Sequence, residues 1–269
     1  MRINNNIMAL NTYRQYTINN QNVSNSTEKL SSGYRINRAG DDAAGLAISE
    51  KMRAQIRGLN MASKNSQDAI SLVQTAEGAL QETHAILQRM RELATQSASD
   101  TNETVDRNAL DAEFQALIEE IDDIAEKTAF NNKPLLDGTF TAALIQTGAN
   151  TGDTLSISIG NMDAATLLLT GNVATQADAS TAIGVVNTAI DTVSTQRANL
   201  GAIQNRLSHK INNLDTSAEN LQAAESRIRD VDMAKEMTTL TKNNILVQAS
   251  TSMLAQANAA PQNVLKLLQ

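Results

Sequence analysis

The sequence predicts a mainly α fold: an elongated rod of long, coiled-coil-like helices with a small β-hairpin region. Three observations lead there. Apolar residues make up 41% of the 269-residue chain, yet aromatics are only 2% and Trp is absent, which suits slender helix–helix seams better than a thick core. Pro occurs only at positions 134 and 261, so helices elsewhere can run unbroken. Apolar residues also recur at helical spacing over most of the chain.

The elements follow in order. Ile3, Ile7 and Leu10, spaced by four and three, mark one stripe of an N-terminal helix within residues 1–42. From Ala43 to Ser97, Ile70, Val73, Ala76, Leu80, Leu87 and Ala94 trace one stripe, and Leu72, Ala79, Ile86 and Leu93 a neighbouring seven-residue one. Gly58 and Gly78 weaken this helix by about 1 kcal/mol each relative to Ala, too little to stop it. A helix of that length spans roughly 80 Å. A compact globule of the whole chain is only about 45–50 Å across, hence the rod.

A break follows at "SASDTNET", where Asp100, Thr101 and Asn102 are candidate caps for a new helix running to about Thr128. Leu110, Phe114, Leu117, Ile118, Ile121, Ile124 and Ala125 form its apolar side; Glu119, Glu120, Asp122, Asp123 and Glu126 read as a solvated face. Residues 43–130 are thus the first half of a rod domain. Residues 131–180 are rich in Gly, Thr and Asn: a hairpin around Gly148 to Asp153, then "LLLTGNVATQADAS" as a small exposed loop. The helical period resumes at Thr181 with Ile183, Val186, Ile190, Val193, Leu200, Ile203, Leu207, Ile211 and Leu214, making 181–229 the second half of the rod. Within 230–269, Met233, Met237, Leu240, Val247 and Leu254 keep a coiled-coil period, and Val264, Leu265, Leu267 and Leu268 follow in "APQNVLKLLQ".

The terminal stripes are diluted with polar residues, among them Asn243, Asn244, Gln248 and Gln256. Burying the four apolar residues after Pro261 contributes about 6–12 kcal/mol. Ordering the last ten or so residues costs roughly 10–20 kcal/mol of backbone entropy. The ends therefore need neighbours on several sides, and the expectation is a self-assembling chain whose termini fold as they associate.

Other function classes find little support. A net charge of −7 argues against nucleic acid or an anionic membrane as the main partner. No segment is apolar enough to span a membrane, and no basic, apolar and cleavage-site sequence of a secretory leader is present. There is no Cys; His84 and His209 are far apart in sequence with no metal-spaced partner, and no H-E-x-x-H or phosphate-cradling glycine motif occurs. No cofactor or metal is expected. "DVDMAKE" at 230–236 lacks the turn Gly of a calcium loop. Asp41 and Asp42 fit helix capping near Ala43 better than an acid/base pair. An enzyme using them or the acidic 104–128 face would lack a nucleophile, base and oxyanion set.

Two stretches mix signs of charge. "GYRINRAGDDAAG" at 33–45 carries Arg35, Arg38, Asp41 and Asp42; "ESRIRDVDMAKEM" at 225–237 carries Arg227, Arg229 and Asp230. If the two halves of the chain run antiparallel, these stretches meet at one height and make a polar joint between the terminal helices and the rod.

The same residues carry a resemblance. "LSSGYRINRAGDDAAGLAISEKMRAQIRGL" and "ESRIRDVDMAKEMTTLTKNNILVQASTSMLAQANAAPQNVLKLLQ" resemble the terminal regions of bacterial flagellin, and "KNSQDAISLVQTAEGAL" and "LQRMRELATQ" resemble its rod helix. The likeness covers roughly residues 1–135 and 181–269, is nearest to Gram-positive, bacillus-like forms, and lacks room for large outer domains. It implies a subunit of the helical flagellar filament, with the N- and C-terminal helices paired along the filament's central channel. It implies export through the flagellar type III apparatus without a cleaved signal peptide. It also implies a filament cap protein, hook–filament junction proteins and a cytoplasmic secretion chaperone at the C-terminal region as partners. Ile3, Ile7, Leu10, Met237, Leu240, Val247, Leu254, Val264, Leu265, Leu267 and Leu268 become the inner-core assembly interface. "LQRMRELATQ" is similar to the segment sensed by host Toll-like receptor 5, which carries receptor contact over to Arg89 and Leu93, with Glu113 from "DAEF". A hook–filament junction protein shares the terminal helices; "SMLAQANAAPQNVLKLLQ" together with "QRMRELATQ" favours the filament subunit.

Overall fold

The computed structural model describes residues 6–266, with side chains through residue 260. Five helices account for most of it: α1 (Ile7–Ser32), α2 (Ala43–Ser97), α3 (Thr104–Lys127), α4 (Gln176–Arg229) and α5 (Met233–Lys266). Between α3 and α4 lie two antiparallel strand pairs, β1 (Ala129–Phe130) with β2 (Lys133–Pro134) and β3 (Ala143–Gln146) with β4 (Thr154–Ile157). The predicted mainly α class and the 55-residue helix from Ala43 are both present. The chain divides into two units, one up to residue 54 and from 220 onward, the other from 55 to 219.

The second unit holds the main apolar core. From α2 come Val73, Ala76, Leu80, Leu87, Met90, Leu93 and Ala94; from α3 Phe114, Ile121 and Ala125. From α4 come Val186, Val193, Leu200 and Leu207, a seven-residue repeat that keeps one face of the helix inward. Ser63 Oγ donates to Asp215 Oδ1 at 2.9 Å and ties α2 to α4. The tip of the β3–β4 hairpin lies against α2 at Gly58, where an added Cβ would come within 2.9 Å of the Ala149 Cβ. The glycine that weakens the helix therefore makes room for the hairpin.

Three local expectations need correction. The loop at 167–173 is exposed only in part. Leu167, Leu169 and Val173 are buried, while Leu168, Thr170, Gly171 and Asn172 face water. The segment is held by two carboxylates of α3: Asp111 Oδ1 accepts from the Val173 N–H at 2.8 Å, and Asp122 Oδ1 from the Ala164 N–H at 2.7 Å. One member of the acidic face thus anchors a loop instead of only meeting solvent. Second, α3 starts after Glu103, whose N–H donates to Asp106 Oδ2 at 3.2 Å; Asn102 instead turns back to the Gln96 carbonyl at 2.6 Å and closes the end of α2. Third, α4 starts five residues before Thr181, because Thr175 Oγ1 accepts from the Asp178 N–H at 3.2 Å and caps it there. A two-residue turn not anticipated from the sequence joins β1 to β2. Asn131 and Asn132 take φ of 49° and 60°, the left-handed pair that a two-residue hairpin needs and that Asn tolerates.

In the first unit, α1 and α5 pair antiparallel. Asn6 Nδ2 donates to the Ala257 carbonyl at 2.7 Å, Asn19 Nδ2 to Ser250 Oγ at 3.2 Å, and Tyr34 bridges Asp230. Partners on α5 fall in number as those on α1 rise.

Candidate assembly faces and the charged joint

The α1–α5 seam explains what the outside of the pair does. On α5 the shielded positions are Leu240, Asn243, Val247, Ser250, Leu254 and Ala257, alternating three and four. On α1 they are Ala9, Thr12, Tyr16, Asn19, Val23, Ser26 and Leu30. Half of these are polar or small, so the seam buries little apolar area. Many other large apolar side chains of the pair are exposed instead. Ile7 is 61% exposed, Leu10 62%, Ile245 60% and Met253 60%, with Met8, Ile18, Met237 and Leu246 also in water. At 100° per residue, Ile7, Leu10 and Ile18 lie on the side of α1 opposite the seam. Of the predicted interface residues, Leu240, Val247 and Leu254 sit on the seam, while Ile7, Leu10 and Met237 face outward. Val264 and Leu265 belong to α5, with side chains outside the described set; Ile3, Leu267 and Leu268 lie outside the described residues.

At the other end of α1, Gly33 takes φ 75° and its N–H reaches the Lys29 carbonyl at 2.9 Å, closing the helix. The chain then adds one antiparallel bridge to the end of α4: Arg35 N–H to the Arg229 carbonyl at 2.7 Å, and Val231 N–H to the Gly33 carbonyl at 3.0 Å. Arg35 Nε donates to the Ile228 carbonyl at 3.2 Å, and its Nη2 joins the same oxygen. The two mixed-charge stretches thus meet, by backbone as well as side chain.

Not every predicted joint residue takes part in that meeting. Arg38 binds Glu28 through two bonds of 3.1 Å, and Asp41 Oδ2 accepts from the N–H groups of Arg38 and Asn37. Those two donors, Arg38 first, hold the Asp41 carboxyl below its ordinary pKa. Asp42 Oδ1 caps α2 through the Gly45 N–H at 2.9 Å. These three act within 28–45 alone. Arg227 is exposed and bonds none of the described residues.

What the sequence reading missed is the centre of the joint, Tyr34. Its ring lies under two guanidiniums, Arg229 at 5.0 Å and Arg53 at 5.6 Å. Arg53 Nη2 also donates to the Tyr34 hydroxyl at 3.2 Å and Nε to Glu225 Oε1 at 2.9 Å. Arg229 Nη1 donates to Glu50 Oε1 at 2.6 Å. The Tyr34 hydroxyl, then Glu225, raise the Arg53 pKa against the opposing effect of burial. Two cations therefore share one aromatic ring, and a carboxylate accepts from each.

The predicted receptor residues separate. Arg89 reaches Glu113 on α3 at 2.8 Å and Glu92 at 3.1 Å, and all three lie on the surface. The Glu113 bond, then Glu92, raises the Arg89 pKa. Leu93 is 0% exposed, packed in the core of the second unit, so it offers no outer surface. This corrects its assignment as a contact: it belongs to the buried apolar cluster to which α2, α3 and α4 all contribute.

A helix pair with a thin seam and a greasy exterior defines a class, the self-assembling structural proteins whose terminal helices are completed by further chains. The comparisons agree. Residues 3–141 match the bacterial flagellin N-terminal helical region and residues 183–268 the bacterial flagellin C-terminal helical region. The chain is 56% identical over 272 residues to a flagellin of Halalkalibacterium halodurans and 55% identical over 304 residues to one of Bacillus subtilis, covering all of each. A crystal structure of Bacillus cereus flagellin matches with TM-score 0.53 and 39% identity, over 60% of this chain and 94% of that one. The chain belongs to the bacterial flagellin family. It is a structural subunit that polymerises into the flagellar filament outside the cell, and not an enzyme.

Proposed function

We propose that the inner-core assembly interface is the outward apolar surface of the α1–α5 pair, with Ile3, Ile7, Leu10, Met237, Val264, Leu265, Leu267 and Leu268 among its members. Leu240, Val247 and Leu254 hold the pair together from within. The observation that carries this is the exposure of Ile7, Leu10, Ile245 and Met253 beside a seam too polar to be self-sufficient. Each such side chain gains about 1.5–3 kcal/mol when covered. In this reading, residues 1–42 and 230–269 supply the inner core along the filament axis, and 43–130 and 181–229 the surrounding rod. The 131–180 segment adds no large outer domain.

The Arg89–Glu113 pair is the proposed contact for Toll-like receptor 5, supported by its exposed position on the α2–α3 surface. Leu93 supports that surface from beneath. Cap protein, junction proteins and a secretion chaperone on the C-terminal region complete the partners, and export proceeds without a cleaved signal peptide. Replacing Ile245→Asp tests the assembly face. The critical concentration for polymerisation should rise at least about tenfold with the fold of the second unit intact; an unchanged value would place the interface elsewhere.

A further inference from the structure

Helix α5 runs to Lys266 although residue 261 is Pro. In an α-helix the carbonyl of residue 257 accepts from the N–H of residue 261. Pro has none, so the Ala257 carbonyl loses its helical donor. Ala257 is itself buried, which limits what water can offer. Yet a donor arrives from the other end of the chain: Asn6 Nδ2 reaches the Ala257 oxygen at 2.7 Å. The same amide accepts from the Ala9 N–H at 3.1 Å through Oδ1 and so caps α1. Both bonds demand the same orientation of the amide, oxygen to α1 and nitrogen to α5.

We propose that Asn6 is the positioning residue that lets α5 pass through Pro261. It replaces the missing helical donor and makes the first turn of α1 and the last turns of α5 order as one unit. The proposal rests on the reading that the α1–α5 pair forms the assembly interface. It adds a coupling that apolar burial alone does not provide. Only a side chain that can accept at one end and donate at the other does both tasks. Asp would keep the cap and lose the donor. Ala at 261 would return the backbone N–H and make the Asn6 donor redundant.

The test is a double-mutant cycle on the full chain, read as the critical concentration for polymerisation. Asn6→Asp in the native background should raise it about tenfold, the scale expected for a buried carbonyl left without a donor. The same Asn6→Asp change in a Pro261→Ala chain should alter it less than about twofold. An equal rise in both backgrounds, or no rise in either, would overturn the proposal. If Asn6→Asp subunits do not nucleate, their addition to preformed native filament ends is measured instead. Elongation restored by Pro261→Ala supports the coupling, and failure in both backgrounds refutes it. Failure of this cycle leaves native polymerisation, and the Ile245→Asp result, untouched, so the two readings are separable.

Discussion

Tyr34 is the residue on which the joint should turn. Tyr34→Phe removes one hydroxyl and leaves the ring under Arg229 and Arg53; Tyr34→Ala removes all of it. A hydrogen bond to a charged donor is worth about 1.5–3 kcal/mol when desolvated. Arg53 is 34% exposed, so solvent discounts that to about 1 kcal/mol here. Each cation–π pair adds about 0.5–1 kcal/mol at a partly exposed site. Tyr34→Phe should therefore cost about 1 kcal/mol and Tyr34→Ala about 2–3 kcal/mol. The assay is hydrogen exchange on assembled filaments at the Arg35 and Val231 amides, whose bonds to Arg229 and Gly33 make the bridge. Exchange should accelerate about fivefold for Tyr34→Phe and about 30–150-fold for Tyr34→Ala. Equal acceleration by both variants would mean that the stacked guanidiniums contribute nothing; no acceleration would mean that the backbone bridge stands without the ring.

Further outcomes follow from the same geometry. Gly45→Ala puts a Cβ 2.4 Å from Asp42 Oδ2 and 2.9 Å from the Ile36 Cδ1, displacing a cap and a buried side chain; exchange at the Gly45-to-Leu46 amides should rise by the equivalent of about 1–3 kcal/mol. Asp111→Ala leaves the buried Val173 N–H without its acceptor, so the 164–173 segment should become the first site of limited proteolysis, with about 1–3 kcal/mol lost. Leu93→Ala should lower the thermal midpoint of the monomer, at about 2–5 kcal/mol, whether or not receptor signalling is measured. The Asp41 carboxyl, held low by the Arg38 and Asn37 amides, contributes stability that is complete above the ordinary aspartate pKa of about 3.9 and is lost as pH falls through its lower folded value. NMR shifts of those two amides should therefore hold steady down to about pH 4 and move only below it.

The sequence showed most of the helices because their burial is periodic. Val186, Val193, Leu200 and Leu207 repeat every seven residues, and so does the Leu240, Val247, Leu254 set. It could not say which of two apolar sets on α5 faces α1. Ile245 and Met253 are as apolar as Val247 and Leu254, and only the partner helix distinguishes them. The 164–173 loop was illegible for another reason. Its buried leucines follow no period, and the carboxylates that hold it lie more than forty residues earlier, Asp122 on what reads as a solvated face and Asp111 outside that set. The joint was visible as two runs of mixed charge. Its centre was not, because Tyr34, Arg53 and Glu225 are brought together only by folding; a lone aromatic within a run of arginines was the available signal.

In the proposed filament, a terminal helix pair whose own seam is too thin to hold it has its exterior finished by neighbouring copies. Hydrogen exchange at the amides of α1 and α5, in dilute monomer and in assembled filament, tests this most directly. The prediction is near-unprotected exchange in the monomer and strong protection in the filament, with the core of the second unit protected in both. Equal, strong protection of α1 and α5 in the isolated monomer would contradict it.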